Sequence, residues 1–202
     1  MHKCFISFKK EDAVYRDYLV ENLGGTNFVD KSLDRVINSE DGDYVMEVIR
    51  RDYLCDSTVT LFLIGEHSSE NEGYDWMGDR NYFIKRELAA SLYNGKGNTR
   101  SGILGIVLPQ MESRVFSGKA QCTACGKVHT IVNVIDSTVI REFSYNYYTR
   151  PHAGCAWTED ERYCVIVSWS EFINDPERYI NQAYEKRYSS VAQLIRIKNL
   201  DR

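Results

Sequence analysis

One glutamate in this sequence, Glu87, lies where a carboxylate could act on a bound ligand. Successive residues of a helix are about 100° apart, which places Glu87 beside Ile84 and Ser91, on the flank of the apolar stripe formed by Ile84, Leu88 and Leu92. A carboxylate next to apolar side chains is costly unless a ligand or a partner uses its charge. Glu87 is therefore a candidate for a carboxylate whose charge a ligand or a partner uses. The alternative is a structural glutamate at the edge of the buried face, paired with a lysine or an arginine.

A second group of residues, in the later part of the chain, has the types and spacing of metal ligands. Cys122 and Cys125 lie in the motif C-T-A-C-G-K, and His152 and Cys155 form an H-x-x-C pair further along. Two such pairs can complete a tetrahedral zinc site, and a closed set of protein ligands would make the metal structural. Two alternatives stay open: His129 in place of His152 as the fourth ligand, and a reduced cysteine pair without metal.

The elements that must position Glu87 follow from an alternation of apolar strands and amphipathic helices. Two near-continuous apolar runs are typical of parallel strands buried on both faces, and a helical pattern that carries Glu87 lies between them. The predicted strands are residues 4–8, 27–36 (a weak edge strand), 57–65, 102–109 and 163–169, and the predicted helices include residues 14–23, 43–54 and 81–93. This order predicts an α/β domain with a doubly wound, mainly parallel five-stranded sheet.

Residues 110–161 depart from this pattern. We interpret them as a cysteine-containing, β-rich insertion before the last strand of a single domain that spans residues 1–202. Two strand-like pieces, residues 129–135 and 138–148, are flanked by cysteines and turn residues. Such an insertion is too small to fold well alone, which suits stabilisation by zinc. Residues 191–200 are predicted to pack as a terminal helix.

Polar side chains follow two of the predicted strands. Ligands of open α/β sheets bind at the carboxyl ends of the strands. The polar residues at these ends are Ser7, Lys9, Lys10 and Asp12 after the first strand and Glu66, His67, Ser68 and Ser69 after the central one. The alternative for each single residue is that it only ends a strand or caps a helix.

Composition and motif content narrow the classes of function. A formal net charge of −4 and a pI near 5.6 give no general attraction to nucleic acid or to an acidic membrane. The apolar stretch at the N-terminus is too short for a signal peptide or a membrane span, so we expect a cytoplasmic protein with reduced or metal-bound cysteines. No G-x-G-x-x-G follows the first strand, so NAD is not implied as a hydride carrier, and no phosphate-binding G-x-x-x-x-G-K-[ST] is present.

Three segments together resemble the TIR domain, and most closely the TIR-like proteins of bacterial Thoeris antiphage systems. They are KCFISFKKED, STVTLFLIGEHS and FIKREL. The later segment VSWSEFINDPERYINQAYEKR is similar to the final strand and helix of that group. The resemblance covers roughly residues 1–109 and 163–188, and it implies a flavodoxin-like fold.

The resemblance also implies an enzyme that uses NAD as a substrate rather than as a redox cofactor. In enzymatic TIR domains, the helix after the central strand carries an aromatic residue, an aliphatic residue, two variable residues and the catalytic glutamate. Here these positions run from Phe83 to Glu87; a tryptophan is more usual where Phe83 stands. The residues that would bind the substrate are Ser7, Phe8, Lys9, Ser68 and Phe83.

One carboxylate suits this chemistry. Nicotinamide on C1′ of ribose is a pyridinium and leaves as a neutral molecule, so no general acid is needed, unlike ordinary glycoside hydrolysis with its two carboxyl groups. The transition state needs a stabilised oxocarbenium-like ribose and a fixed ribose hydroxyl, and Glu87 can supply both. Attack by water would give ADP-ribose, and attack by an internal nucleophile would give a cyclic isomer.

The resemblance to Thoeris TIR-like proteins also implies partners. Thoeris-type relatives answer a phage-derived trigger by making a nucleotide signal, and the signal activates a separate effector protein. Self-association through the TIR-like domain is also implied, and the main alternative to an enzyme is a non-catalytic assembly module in which Glu87 is dispensable. A receiver-type phosphoacceptor is disfavoured, because Leu63, Ile64 and Gly65 end the central strand where an aspartate would be required.

Overall fold

A computed structural model of the chain describes residues 2–23, 42–69, 82–95, 98–148 and 154–197. The strands in these ranges are β1 (Cys4–Ser7), β2 (Val59–Ile64), β3 (Gly102–Val107), β4 (Phe116–Gln121), β5 (Val128–Val132) and β6 (Val165–Ser168). Four of them form one parallel sheet in the order β1-β2-β3-β6, and β4 pairs with β5 as a separate antiparallel hairpin.

The helices surround the parallel sheet. They are α1 (Ala13–Asn22), α2 (Gly42–Val48), α3 (Tyr82–Leu92), α4 (Glu112–Val115), α5 (Arg141–Tyr147), α6 (Trp169–Asn174) and α7 (Pro176–Lys186). A π-helical segment, Ile49–Leu54, continues α2, and short 3-10 turns lie at Lys10–Asp12, Pro109–Met111, Glu159–Glu161 and Ser190–Leu194.

The sheet is covered on both faces, as the apolar character of its strands predicts. Successive side chains of a strand point to opposite faces. Phe62 and Ile64 of β2 therefore pack in one core with α3 and α5, while Leu61 and Leu63 pack in a second core with α1, α6 and α7. This arrangement confirms the doubly wound, flavodoxin-like α/β fold. The predicted fifth strand, residues 27–36, lies outside the described residues.

The predicted strand at residues 138–148 is wrong, because this segment contains the helix α5. Its aromatic residues favour a strand by type, but Phe143 and Tyr147 are four apart and lie on the same buried side of a helix. The Phe143 ring packs 5.6 Å from the Phe62 ring, centroid to centroid. A parallel connection from β3 to β6 needs a crossover, and α5 covers the sheet within it. The hairpin of β4 and β5 is the part that leaves the α/β pattern.

The predicted terminal helix at residues 191–200 is also wrong within its described part. The structure has only the short 3-10 turn Ser190–Leu194, and the chain is extended at Ile195. The side chain of Asn146 explains this change. Its Nδ2 donates to the Arg196 carbonyl at 3.0 Å, and its Oδ1 accepts from the Arg196 N–H at 2.9 Å. These two bonds replace those that a continuing helix would make.

Candidate active site

Glu87 lies on α3 at the border of the core. The helix buries Ile84, Leu88 and Leu92, which are 3%, 0% and 1% exposed, and Glu87 beside them is only 5% exposed. Because α3 packs against β1, the carboxylate lies close to the carboxyl end of that strand. Within the described part of the chain, no lysine or arginine forms an ion pair with Glu87. That argues against a structural glutamate held by a surface ion pair.

Ser7 is the direct partner of this carboxylate. It is the last residue of β1 and is fully buried. Its hydroxyl donates a hydrogen bond of 2.6 Å to Oε2 of Glu87, although the two residues are 80 positions apart in the chain. The short distance is typical of a strong O–H···O bond to a carboxylate. The sheet edge and α3 together therefore fix where this oxygen atom lies.

Burial controls the protonation of Glu87. Loss of water around the side chain raises its pKa from 4.5 to about 8, and the hydrogen bond from Ser7 opposes part of that rise. The carboxyl group is therefore mainly protonated at pH 7 in the ligand-free chain. A cation placed beside it would favour the ionised form, since an opposite charge at short range lowers the pKa of a carboxyl group.

A second carboxyl group, Asp12, is buried in the loop after β1. It is 3% exposed and lies against the backbone of Gly65, the residue that follows β2. A Cβ atom at Gly65 would overlap both carboxylate oxygens, so only glycine fits this close approach. Nε2 of Gln110 donates to Oδ1 at 3.4 Å, while Oδ2 has no hydrogen-bond partner among the described residues. Burial, followed by repulsion from Glu11, raises the pKa of Asp12 from 3.8 to about 6.

The segment that carries Ser7, Asp12 and Glu87 matches a known protein family. A family model for the TIR-like domain of the Thoeris protein ThsB matches residues 5–113, more than half of the chain. The chain belongs to this family. Membership gives it a TIR-type role in Thoeris antiphage defence, and the matched segment contains Ser7, Asp12 and Glu87. A search among curated proteins finds no match.

The other residues expected at this family's substrate site differ in how deeply they are buried. Phe8 is half-buried, with the Arg16 guanidinium 5.3 Å from the centre of its ring, and Lys9 and Phe83 are also half-buried. Ser68 is different, because it is fully buried in the turn after β2.

The Ser68 hydroxyl accepts from the Gly65 N–H at 2.9 Å and donates to the Leu63 carbonyl at 3.2 Å. It therefore closes the turn that shapes the sheet edge. Contact of Ser68 with a substrate stays a prediction.

The cysteine motif forms a compact cluster beyond the segment that the family model matches. The ligand atoms of Cys122, Cys125, His129 and Cys155 all lie within 4.8 Å of one another. Nε2 of His129 is 3.1 Å from the Cys125 sulfur and 3.3 Å from the Cys155 sulfur. His152, the other candidate for the fourth ligand, lies outside the described residues.

Sequence reasoning named Asp12 only as one of several polar loop residues. The signal that singles it out is tertiary, because its burial depends on Gly65, more than fifty positions away. A glycine directly after a buried strand is a weak pointer to such a close approach.

None of the helices in the described ranges has both the length and the apolar character that a bilayer crossing requires.

Proposed function

We propose that this chain cleaves the nicotinamide–ribose bond of NAD, with Glu87 as the catalytic carboxylate. The observation that carries the proposal is the buried Glu87 carboxyl group, whose Oε2 accepts a 2.6 Å hydrogen bond from Ser7 at the carboxyl end of β1. Ligands of doubly wound α/β domains bind at this end of the sheet. An isolated buried carboxyl group without a basic partner is costly, so a function that uses its charge is the best reason for its presence.

In the proposed reaction the bond between C1′ of ribose and the nicotinamide nitrogen breaks. The electron pair of that bond leaves with nicotinamide, which becomes neutral, and the positive charge moves to the ribose ring. The Glu87 carboxylate stabilises this charge at short range in a site shielded from bulk water. Water then adds to C1′ and loses a proton, which gives ADP-ribose, or an internal nucleophile adds and gives a cyclic isomer.

The raised pKa of Glu87 is compatible with this role. The free carboxyl group, with a pKa of about 8, carries little charge until a cationic group lies next to it. The pyridinium of bound NAD is such a group, and it favours the ionised form. The rate at low NAD concentration should therefore rise with pH up to about 8, because kcat/KM follows the ionisation of the free enzyme.

Access to Glu87 suits control by a trigger. Because the side chain is 5% exposed, NAD can reach it only when neighbouring atoms move apart. We therefore expect low activity in the resting protein and activation by a phage-derived signal, with the nucleotide product passing to a separate effector.

The test is chromatography and mass spectrometry of NAD incubated with purified wild type and Glu87→Gln, with and without extract from phage-infected cells. Glu185→Gln is the matched control, since Glu185 is an exposed glutamate on α7. We expect nicotinamide release by wild type and the control only, and a second product whose mass distinguishes ADP-ribose from a cyclic isomer. Cleavage by Glu87→Gln would assign the chemistry to another residue. Intact NAD in every condition would favour a self-associating, non-catalytic TIR-like module.

A further inference from the structure

We infer that Cys122, Cys125, His129 and Cys155 bind one structural Zn²⁺ ion, which ties the tip of the β4–β5 hairpin to the chain before β6. The four ligand atoms lie within 4.8 Å of one another. Ligands of tetrahedral zinc lie about 2.0 to 2.3 Å from the metal, so donors this close together can surround a single ion after small side-chain rotations. Three sulfurs and one imidazole nitrogen form one of the common closed sets of structural zinc.

The local fold of C-T-A-C-G-K prepares the first two ligands. The Cys122 N–H donates to the Lys127 carbonyl at 2.8 Å, and the Gly126 N–H donates to the Cys122 carbonyl at 2.9 Å. Gly126 has a φ of +71°, a conformation that glycine adopts without strain. The turn therefore holds the Cys122 and Cys125 sulfurs within 4.8 Å of each other.

Strand pairing brings the third ligand to the same place. His129 lies on β5 and pairs with Ala120 on β4, two positions before Cys122. The register of the hairpin therefore places the imidazole beside the turn that carries Cys122 and Cys125. Cys155 comes from the segment that leads to β6, so the fourth ligand joins two parts of the chain that the hairpin alone does not connect.

The hairpin also needs such a tie. Apart from Phe116, Val132 and the half-buried His129, the residues of its two strands are exposed, so it buries little apolar surface of its own. A two-stranded hairpin without a core is at best marginally stable in water. A metal with four protein ligands contributes its binding free energy directly to folding. Binding replaces the three thiol protons, which are released to solvent, and leaves three thiolates and a neutral imidazole on the metal, with a net charge of −1.

The first test counts zinc and reactive thiols in the purified wild-type chain. Cys4 and Cys164 are buried, whereas Cys55 and the three cluster cysteines are accessible. We expect about one zinc per chain, one fast-reacting thiol, and a rise to four such thiols when a chelator removes the metal. Four reactive thiols and no zinc at the outset would overturn the proposal. A mass about 2 Da lower, with thiol reactivity that the chelator does not change, would indicate a disulfide and would overturn it as well.

Variants then identify which histidine binds the metal together with the three cysteines. We expect His129→Ala to weaken zinc binding more than tenfold in chelator competition, because even changes next to a ligand cost about 10- to 100-fold. Cys55→Ser is the matched control and should keep the metal. His152→Ala should also keep it. Loss of zinc from His152→Ala with retention in His129→Ala would overturn the assignment of His129. The measurement does not involve NAD, so its outcome is independent of the proposed enzyme activity.

Discussion

Replacement of Glu87 by glutamine should stabilise the fold at neutral pH, although we expect it to abolish NAD cleavage. At pH 7 the unfolded chain has lost the Glu87 proton, with a pKa of 4.5, while the folded chain keeps it, with a pKa of about 8. The folded state therefore binds more protons, and the free energy of unfolding falls as pH rises between these two values. At about 1.4 kcal/mol per pH unit, the penalty at pH 7 is about 3 kcal/mol.

Glutamine removes the ionisation but not the shape of the side chain. Its Oε1 can still accept the hydrogen bond from Ser7, whereas its amide N–H groups gain no partner among the groups that contact Oε2 of Glu87. An unsatisfied buried donor costs about 1 kcal/mol. The net gain of Glu87→Gln should thus be about 2 kcal/mol at pH 7 and close to zero near pH 5, where wild-type Glu87 is protonated in the folded state and partly protonated in the unfolded state.

Urea denaturation at pH 5, 6, 7 and 8, followed by circular dichroism, measures this difference. The exposed-site control Glu185→Gln should stay within about 0.5 kcal/mol of wild type at each pH. The slope with pH is the decisive quantity, because the cost of the unpaired amide is the same at every pH and cancels. A Glu87→Gln gain that does not change between pH 5 and 8 would mean that Glu87 ionises normally in the folded chain. The burial argument would then be refuted, whatever the activity assay shows.

Three further changes test the same sheet edge. Ser7→Ala removes the hydrogen bond that favours ionised Glu87, so the Glu87 pKa should rise further; NMR titration of labelled glutamate carboxyl groups would detect this, and an unchanged midpoint would contradict it. Asp12→Asn should stabilise the fold above pH 6 and lose that effect below pH 3.8, because burial raises the Asp12 pKa from 3.8 to about 6. Urea denaturation across this pH range measures the change in stability. Gly65→Ala should cost about 1 to 3 kcal/mol through overlap with Asp12, and a double-mutant cycle with Asp12→Ala should recover part of the loss.

The parallel sheet could be predicted from the sequence because its strands are buried on both faces. Residues 59–64 contain one polar residue, Thr60, and residues 102–109 contain none. Such short apolar runs between helical patterns have few other interpretations. The strand prediction for residues 138–148 is wrong because their pattern is ambiguous. Their aromatic residues suit either a strand or a buried helix face, and only the crossover between β3 and β6 decides for the helix α5.

The terminal segment shows a second reason why local sequence pattern does not always predict structure. Residues 191–200 have a helical composition, but the chain after Leu194 is held by two hydrogen bonds to the side chain of Asn146. A single buried amide, fifty positions earlier, outweighs the local preference for helix. Local pattern contains no information on such a partner, so propensity alone predicts a helix here.

Glu87 and Asp12 show why one candidate carboxyl group was visible in the sequence and the other was not. Glu87 lies on a helix whose apolar stripe is regular, so its position next to the core follows from spacing along a single element. Asp12 stands in the charged segment K-K-E-D, which by composition is a solvated loop. Burial of this carboxyl group, followed by repulsion from Glu11, raises its pKa to about 6. The burial arises because the segment folds onto Gly65, which follows β2. Since the residue that shields Asp12 is distant in the chain, only the folded structure shows that this carboxyl group is buried.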